Sequence, residues 1–289
     1  MQGTAPEPSH GQSVTGQSVT GQSVIECRNL GIDFGGLTAV DNFNKSIAAS
    51  QISGLIGPNG AGKTTVFNLL TKVYSPTRGS IILNGKDTKS MSITDINKAG
   101  VARTFQNIRL FANLSVLENV LVGLHHYTHH SMLDAVLRLP RYWKSEKEAR
   151  SKAFELLTMF QMEDMYREKA GSLSYGAQRK LEIARALATQ PSLLLLDEPA
   201  AGMNHSETEE LMETIKKVQK QFELAILLIE HDMQLVMGIC SEITVLNYGK
   251  IIASGTPTQI QNDPRVIEAY LGTGSEPTHA PHEQEGSHA

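Results

Sequence analysis

Eight consecutive residues, Gly57-Pro58-Asn59-Gly60-Ala61-Gly62-Lys63-Thr64, match the pattern G-x-x-x-x-G-K-[ST]. Glycine at these spacings lets the backbone curl so that successive N–H groups, and the start of a following helix, face the oxygens of a phosphate group. Lys63 adds a point charge and Thr64 a hydroxyl for Mg²⁺; with Thr65 the cradle runs from residue 57 to residue 65. A chance glycine-rich turn would need neither a strand before it nor a helix after it, yet the apolar run Ile52 to Ile56 precedes this loop and the helical pattern TVFNLLTKV follows it. Farther on, the apolar run Leu193 to Leu196 ends in Asp197, a carboxylate placed to hold Mg²⁺ through water. Glu198 comes next, and a second carboxylate at one strand end has few structural uses. We assign it as the general base that orients and deprotonates water attacking a γ-phosphate.

These groups need a rigid frame. Ile52 to Ile56, Leu193 to Leu196 and Leu224 to Ile229 are continuous apolar runs of strand length, as expected of parallel strands buried on both faces. An α/β fold with helices on both sides of the sheet follows. A helix from about Thr208 to Phe222 places Leu211, Ile215, Val218 and Phe222 on one stripe, which is expected to pack on that sheet. Residues 117–171 read as a mostly helical subdomain set into the core. The repeat GQSVT GQSVT GQSVI and the proline-rich opening make residues 1–23 a disordered tail, and the His-, Glu-, Pro- and Gly-rich residues 273–289 a second one. One domain is expected between them, over 24–272.

Composition narrows the function. A formal charge of −4, from 26 basic and 30 acidic residues, offers no broad attraction for nucleic acid. Two distant cysteines in apolar surroundings, Cys27 and Cys240, suit a reducing cytoplasm and argue against a disulfide framework or a cysteine metal site. No apolar run reaches 18 residues, so no membrane-spanning helix is expected.

Leu173-Ser174-Tyr175-Gly176-Ala177-Gln178, ahead of the helix Arg179 to Ala188 and about twenty residues before Asp197, resembles the signature of ATP-binding cassette (ABC) ATPases. The resemblance spans roughly Ile25 to Gly272. It implies a P-loop NTPase core with a helical subdomain and an antiparallel β subdomain, acting on ATP with Mg²⁺. Gln106, in Arg103-Thr-Phe-Gln106, looks like the family's glutamine that touches Mg²⁺ and the attacking water. His231, in Ile229-Glu-His-Asp232, looks like its switch histidine, and Phe34 stands where the family stacks an aromatic ring on adenine. Taken singly, these would be a surface amide, a satisfied histidine and a core ring. In this family two ATPase domains pack head to tail, so Ser174 and Gly176 would serve the nucleotide of the partner. The resemblance therefore implies a second ATPase subunit, identical or related, and two separate membrane-spanning permease subunits. It places the chain peripherally, at the cytoplasmic face of a bacterial inner membrane.

A narrower resemblance, carried by Arg103-Thr-Phe-Gln-Asn-Ile-Arg-Leu-Phe111, Asp197-Glu-Pro-Ala-Ala-Gly-Met-Asn204 and Val266-Ile-Glu-Ala-Tyr-Leu-Gly272, is to the ATPases of branched-chain amino acid importers. That adds an external solute-binding protein as an indirect partner. Departures exist: Tyr175-Gly176 stands where the wider family has Gly-Gly, Ala177 where the subfamily usually has Gln, and Asn204 where many members have Asp. A soluble ABC-type ATPase working on nucleic acid or ribosomes is the competing reading, but such chains commonly carry two cassettes or a long coiled-coil insertion. His125, His126, His129 and His130 give two i,i+4 pairs with no acidic or cysteine ligand nearby, and an exposed helix end is the expected reading. The basic stretch Arg138, Arg141, Trp143 and Lys144 is read as a solvated helix surface, with contact to anionic lipid as the alternative. His279, His282 and His288 are read as part of a solvated tail.

Overall fold

The three apolar runs become neighbouring strands of one sheet. The computed structural model describes residues 23–124 and 140–271; the histidine cluster at 125–130, Arg138 and both proposed tails lie outside these, apart from Ser23. Ile52–Ile56 (β3), Val101–Arg103 (β6), Leu193–Asp197 (β7), Ala225–Ile229 (β8), Glu242–Asn247 (β9) and Lys250–Gly255 (β10) form a six-stranded sheet in the order β10-β9-β3-β8-β7-β6. Five of these strands run parallel, and β10 returns antiparallel to β9. Ser23–Phe34 (β1), Leu37–Ala48 (β2), Arg78–Leu83 (β4) and Lys86–Asp87 (β5) form a separate antiparallel sheet in the order β2-β1-β4-β5.

Helices cover the parallel sheet because its strands are apolar on both faces, β3, β7 and β8 being buried along their whole length. Lys63–Leu70 (α1) follows β3, and Ile93–Lys98 (α2) precedes β6. Val116–Leu124 (α3), Pro140–Met159 (α4) and Tyr175–Ala188 (α5) form a helical layer between β6 and β7. His205–Phe222 (α6), Met233–Ile239 (α7), Pro257–Gln261 (α8) and Pro264–Leu271 (α9) complete the described chain.

Side-chain alternation along the strands splits the interior in two. Leu194, Leu196, Ile226 and Leu228 join Leu156 and Leu157 of α4, Leu181 of α5 and Leu211 of α6 in one core. Leu193, Leu195, Leu227 and Ile229 face the other way, toward Val66 and Phe67 of α1 and Leu30 and Phe43 of the antiparallel sheet. Each such leucine contributes roughly 1.5–3 kcal/mol on burial.

Two helices start earlier than the sequence pattern predicts. Helix α6 begins at His205 because Asn204 and Glu207 form a reciprocal capping box, and α5 begins at Tyr175 because the Ser174 hydroxyl caps it. The stripe on α6 is corrected at its end. Leu211, Ile215 and Val218 are buried, but Phe222 is 42% exposed, since the last turn lies alongside α4 and α5 rather than over the sheet.

Candidate functional site

Parallel strands point their C-terminal ends the same way, and that shared edge is where loops can converge. Here β3 ends at Ile56, β7 at Asp197, β8 at Ile229 and β6 at Arg103, with Asp197 paired to Ile229, Leu55 to Ile229 and Arg103 to Leu195. The residues singled out in the sequence leave from this edge.

The loop after β3 is sterically closed to other residues at its start. A Cβ on Gly57 would stand 2.0 Å from the Leu246 carbonyl oxygen, and one on Gly62, at φ +103°, 2.7 Å from that of Ala39. Gly62 is also the N-cap of α1, whose first turn has neither a side-chain cap nor an acidic residue. Its free N–H groups and partial positive charge are thus left for an external anion. Lys63 is buried, and its Nζ donates to the carbonyls of Gly57 and Pro58 at 2.7 and 3.0 Å. Burial pushes its ammonium below the usual lysine range, while the charges of Glu198 and Asp197 act in the opposite direction. Thr64 is exposed and Thr65 half-buried beside it.

Asp197 is buried and held by the end of β6 and the residue that follows it. Arg103 Nη2 donates to its Oδ2 at 2.7 Å, while Arg103 Nη1 donates to Asn68 Oδ1 on α1, also at 2.7 Å. The Asp197 N–H donates to the Thr104 hydroxyl at 3.3 Å. Sequence reasoning had passed over Arg103 as an anchor of this carboxylate.

Glu198 sits in the left-handed region, at φ 48°. A bulky non-glycine residue held there is strained, and such strain gathers at functional positions. Its two carboxylate oxygens are both engaged: Gln106 Nε2 donates to Oε2 at 2.8 Å, and His231 Nε2 lies 2.7 Å from Oε1. Three residues separated by up to 125 positions therefore meet at one carboxylate. His231 is steadied from behind by Glu230, whose carboxylate accepts from the backbone N–H groups of Ala200, His231 and Asp232. Burial pushes the Glu230 carboxyl above the ordinary range, and these backbone donors act against the shift.

Asn59, Gly60, Ala61, Gly62, Lys63, Thr64, Thr65, Gln106, Glu198 and His231 line one cleft of about 580 Å³. Its other walls, Leu37 to Ala39 of β2 and the Tyr248-Gly249 turn, were not foreseen. They come from the antiparallel sheet and a hairpin, and no motif marks them. Tyr270 of α9 was missed too; partial burial pushes its phenol up, and the backbone of Gly57, at the base of the loop, acts against that shift. Phe34 is 42% exposed, its ring edge against Tyr74 at 5.2 Å, and it does not line the cleft.

Ser174 and Gly176 also lie outside the cleft, at the first turn of α5. The Ser174 hydroxyl accepts from the Ala177 N–H at 3.3 Å, and a Cβ on Gly176 would approach Glu207 at 3.0 Å.

The cleft has a loop that fits phosphate, the Thr64 hydroxyl, and a strand-end glutamate held by an amide and an imidazole, while Asp197, bonded to Arg103, is not among its lining residues. Comparison with known proteins gives the family. A family model described as ABC transporter matches residues 40–201, and one described as Branched-chain amino acid ATP-binding cassette transporter matches residues 250–276. The high-affinity branched-chain amino acid transport ATP-binding protein BraF of Pseudomonas aeruginosa is 45% identical over 249 residues, covering 86% of this chain and 98% of its own. A crystal structure of a nucleotide-free ATP-binding cassette from an ABC transporter superposes with a TM-score of 0.75 at 29% identity, covering 86% of this chain and 99% of that one. The dimeric, post-hydrolysis state of an ATP-binding cassette bound to ADP and Pi superposes at 0.68 and 25% identity, over 81% and 98% of the two chains. With the family model spanning over half of its length, this chain belongs to the ABC transporter family, as one of its ATP-binding ATPases.

Proposed function

We propose that this chain is the ATP-hydrolysing subunit of an importer for branched-chain or related amino acids. The observation that carries the hydrolytic part is the meeting of Gln106, Glu198 and His231 in the cleft beside Lys63. The solute class is supported by likeness to BraF, together with the match at residues 250–276.

In this reading the backbone N–H groups of the loop from Gly57 to Thr65, Pro58 having none and shaping the turn, grip the phosphates of ATP with the Lys63 ammonium, and Phe34, which lies outside the cleft, stacks on an adenine that extends beyond it. Mg²⁺, which would neutralise charge on the transferring phosphoryl group, would be held by Thr64, Asp197 and Gln106, an all-oxygen donor set suited to a hard cation. Glu198 takes the proton of the attacking water. At rest each of its oxygens has one partner, which leaves a further lone pair on each to accept that proton. His231 is exposed, at 45% of its side chain, and is positioned to turn from Glu198 toward a γ-phosphate. Lys63 makes the corresponding exchange, giving up the carbonyls of Gly57 and Pro58 for phosphate oxygens.

Ser174 and Gly176 serve the nucleotide of a second ATPase subunit packed head to tail. Binding of ATP closes that pair and release of phosphate opens it, and the difference drives two membrane-spanning permease subunits fed by an external solute-binding protein. No helix among the described residues is long and apolar enough to cross a membrane, in keeping with a subunit held peripherally at the cytoplasmic face of the inner membrane.

The test is co-purification of the chain from membranes in the presence of ATP, comparing wild type with Glu198→Gln, followed by identification of its partners by mass spectrometry. Recovery of two polytopic membrane proteins and an amino-acid-binding protein is expected. Recovery of ribosomal or DNA-bound partners alone would end the transport reading.

A further inference from the structure

Helix α5 carries an ion pair that the nucleotide chemistry does not use. Arg179 and Glu182, one turn apart, are 0% and 1% exposed, and Arg179 Nη1 meets Glu182 Oε2 at 2.8 Å. Desolvation makes such a pair costly unless further hydrogen bonds satisfy its remaining donors and acceptors. Those further bonds converge on the loop of Gln106. Arg179 Nη1 donates to the Phe105 carbonyl at 2.7 Å and Nη2 to the Gln106 carbonyl at 2.8 Å. Glu182 Oε1 accepts from the backbone N–H of Arg109 at 3.2 Å and of Phe105 at 3.5 Å.

A planar guanidinium bridging two successive carbonyls fixes the peptide between them, in a way that a single point charge cannot. From that peptide the Gln106 side chain leaves for Glu198. Tyr175 extends the contact: Arg179 Nη2 donates to its hydroxyl at 3.3 Å, and its ring flanks Gly202, where an added Cβ would stand 3.3 Å from Tyr175 Cε1. One network thus joins the loop of Gln106, the first turn of α5 and the segment that follows Glu198.

We propose that Arg179 and Glu182 are positioning residues for hydrolysis: they lock the Gln106 loop to α5, so that the amide at one nucleotide and the helix turn facing the other move as one body. This rests on the roles of Gln106 and Ser174 given under the proposed function. The pair touches neither nucleotide, and it acts through the two backbone carbonyls it holds. Tyr175 is its third member, with a bulk that glycine at that position would not supply.

The experiment uses the full chain and replaces both charges, Arg179→Met with Glu182→Met, because either single change orphans a buried charge whereas the apolar pair keeps the volume filled. Affinity for Mg-ATP, read with a fluorescent analogue, is expected to stay within about threefold, as for loss of an interaction made only in the transition state. The turnover number should fall by about tenfold to a hundredfold with little change in KM, the scale of a misplacement of ~1 Å at a reacting centre. Hydrogen exchange at the amides of residues 105–109 should quicken while exchange in β7 stays as in wild type. Arg179→Lys retains the charge without the two-pronged fork and should fall between wild type and the double variant.

A folded double variant with unchanged turnover, or with residues 105–109 exchanging as slowly as in wild type, overturns the proposal. So does a parallel loss of affinity and turnover, the mark of a merely structural role. If wild type itself releases no phosphate from ATP, the functional reading fails, and the exchange measurement still decides whether the pair holds the loop.

Discussion

The strand-end cluster and the first turn of α5 are built on different terms. At the strand ends, Asp197 and Glu198 close a strand buried on both faces, and each carboxylate is held by side chains from distant elements. The first turn of α5 offers a helix N-terminus whose one side-chain cap, Ser174, bonds within its own turn. The first region holds acid, base and charge within hydrogen-bonding reach; the second presents donors and a small residue. Every observed partner of Asp197 and Glu198 comes from this chain, whereas the first turn of α5 lies outside this chain's own cleft. That division matches the head-to-tail pairing proposed for this chain.

The largest expected effect breaks the first region alone. Glu198→Gln should lower phosphate release by about 10²- to 10⁴-fold, the usual worth of a general base, while nucleotide binding persists. A variant retaining more than a tenth of wild-type release would remove Glu198 from the base role.

Steric contrast sharpens the picture of the loop. Gly57→Ala forces a Cβ within 2.0 Å of a carbonyl oxygen and should abolish nucleotide binding, whereas at Gly60, φ +79°, an added Cβ meets nothing within 4 Å. Gly60→Ala should therefore cost only about 1–2 kcal/mol of backbone strain. Isothermal titration of both variants checks the ranking, and equal losses would show that crowding at Leu246 does not govern the loop.

Ser174→Ala probes the second region. Loss of the cap should cost about 1 kcal/mol of stability, and turnover should suffer most at protein concentrations where two chains meet. A loss of turnover by the same factor at every concentration would place Ser174 at its own chain's nucleotide and undo the comparison.

The smallest effect concerns Glu230, behind His231. Its carboxyl is raised by burial above the ordinary value of 4.5, so the folded chain binds more protons than the unfolded one just above that pH. Stability from this group is therefore present below 4.5 and is lost as pH rises through the folded value. Urea midpoints measured from about pH 4.5 to 7 should fall for wild type relative to Glu230→Gln as pH rises. A difference that is flat across this range would contradict the sign.

Local pattern made much of this legible. Gly57 to Thr64 was readable because a phosphate cradle is a contiguous stretch of backbone, and β3, β7 and β8 because buried parallel strands are uninterrupted apolar runs. What escaped was set by long-range packing. Arg103 against Asp197, Arg179 and Glu182 against the Gln106 loop, and Leu37 to Ala39 as a cleft wall join elements that no spacing in the sequence relates. Helix starts at Tyr175 and His205 were missed by a few residues because caps, not apolar periodicity, decide them. Asn204 changes meaning as well: a departure from the wider family in sequence, it is a helix cap in the structure.

The leucines of β7 belong alternately to two cores, 193 and 195 to one and 194 and 196 to the other. A strand gripped from both sides cannot slide against either layer without opening voids in a close-packed interior. In mechanical terms it is the axle rather than the arm. A stroke started at the nucleotide has to travel through the parts hung from that axle, the helical layer packed on Leu194 and Leu196 among them.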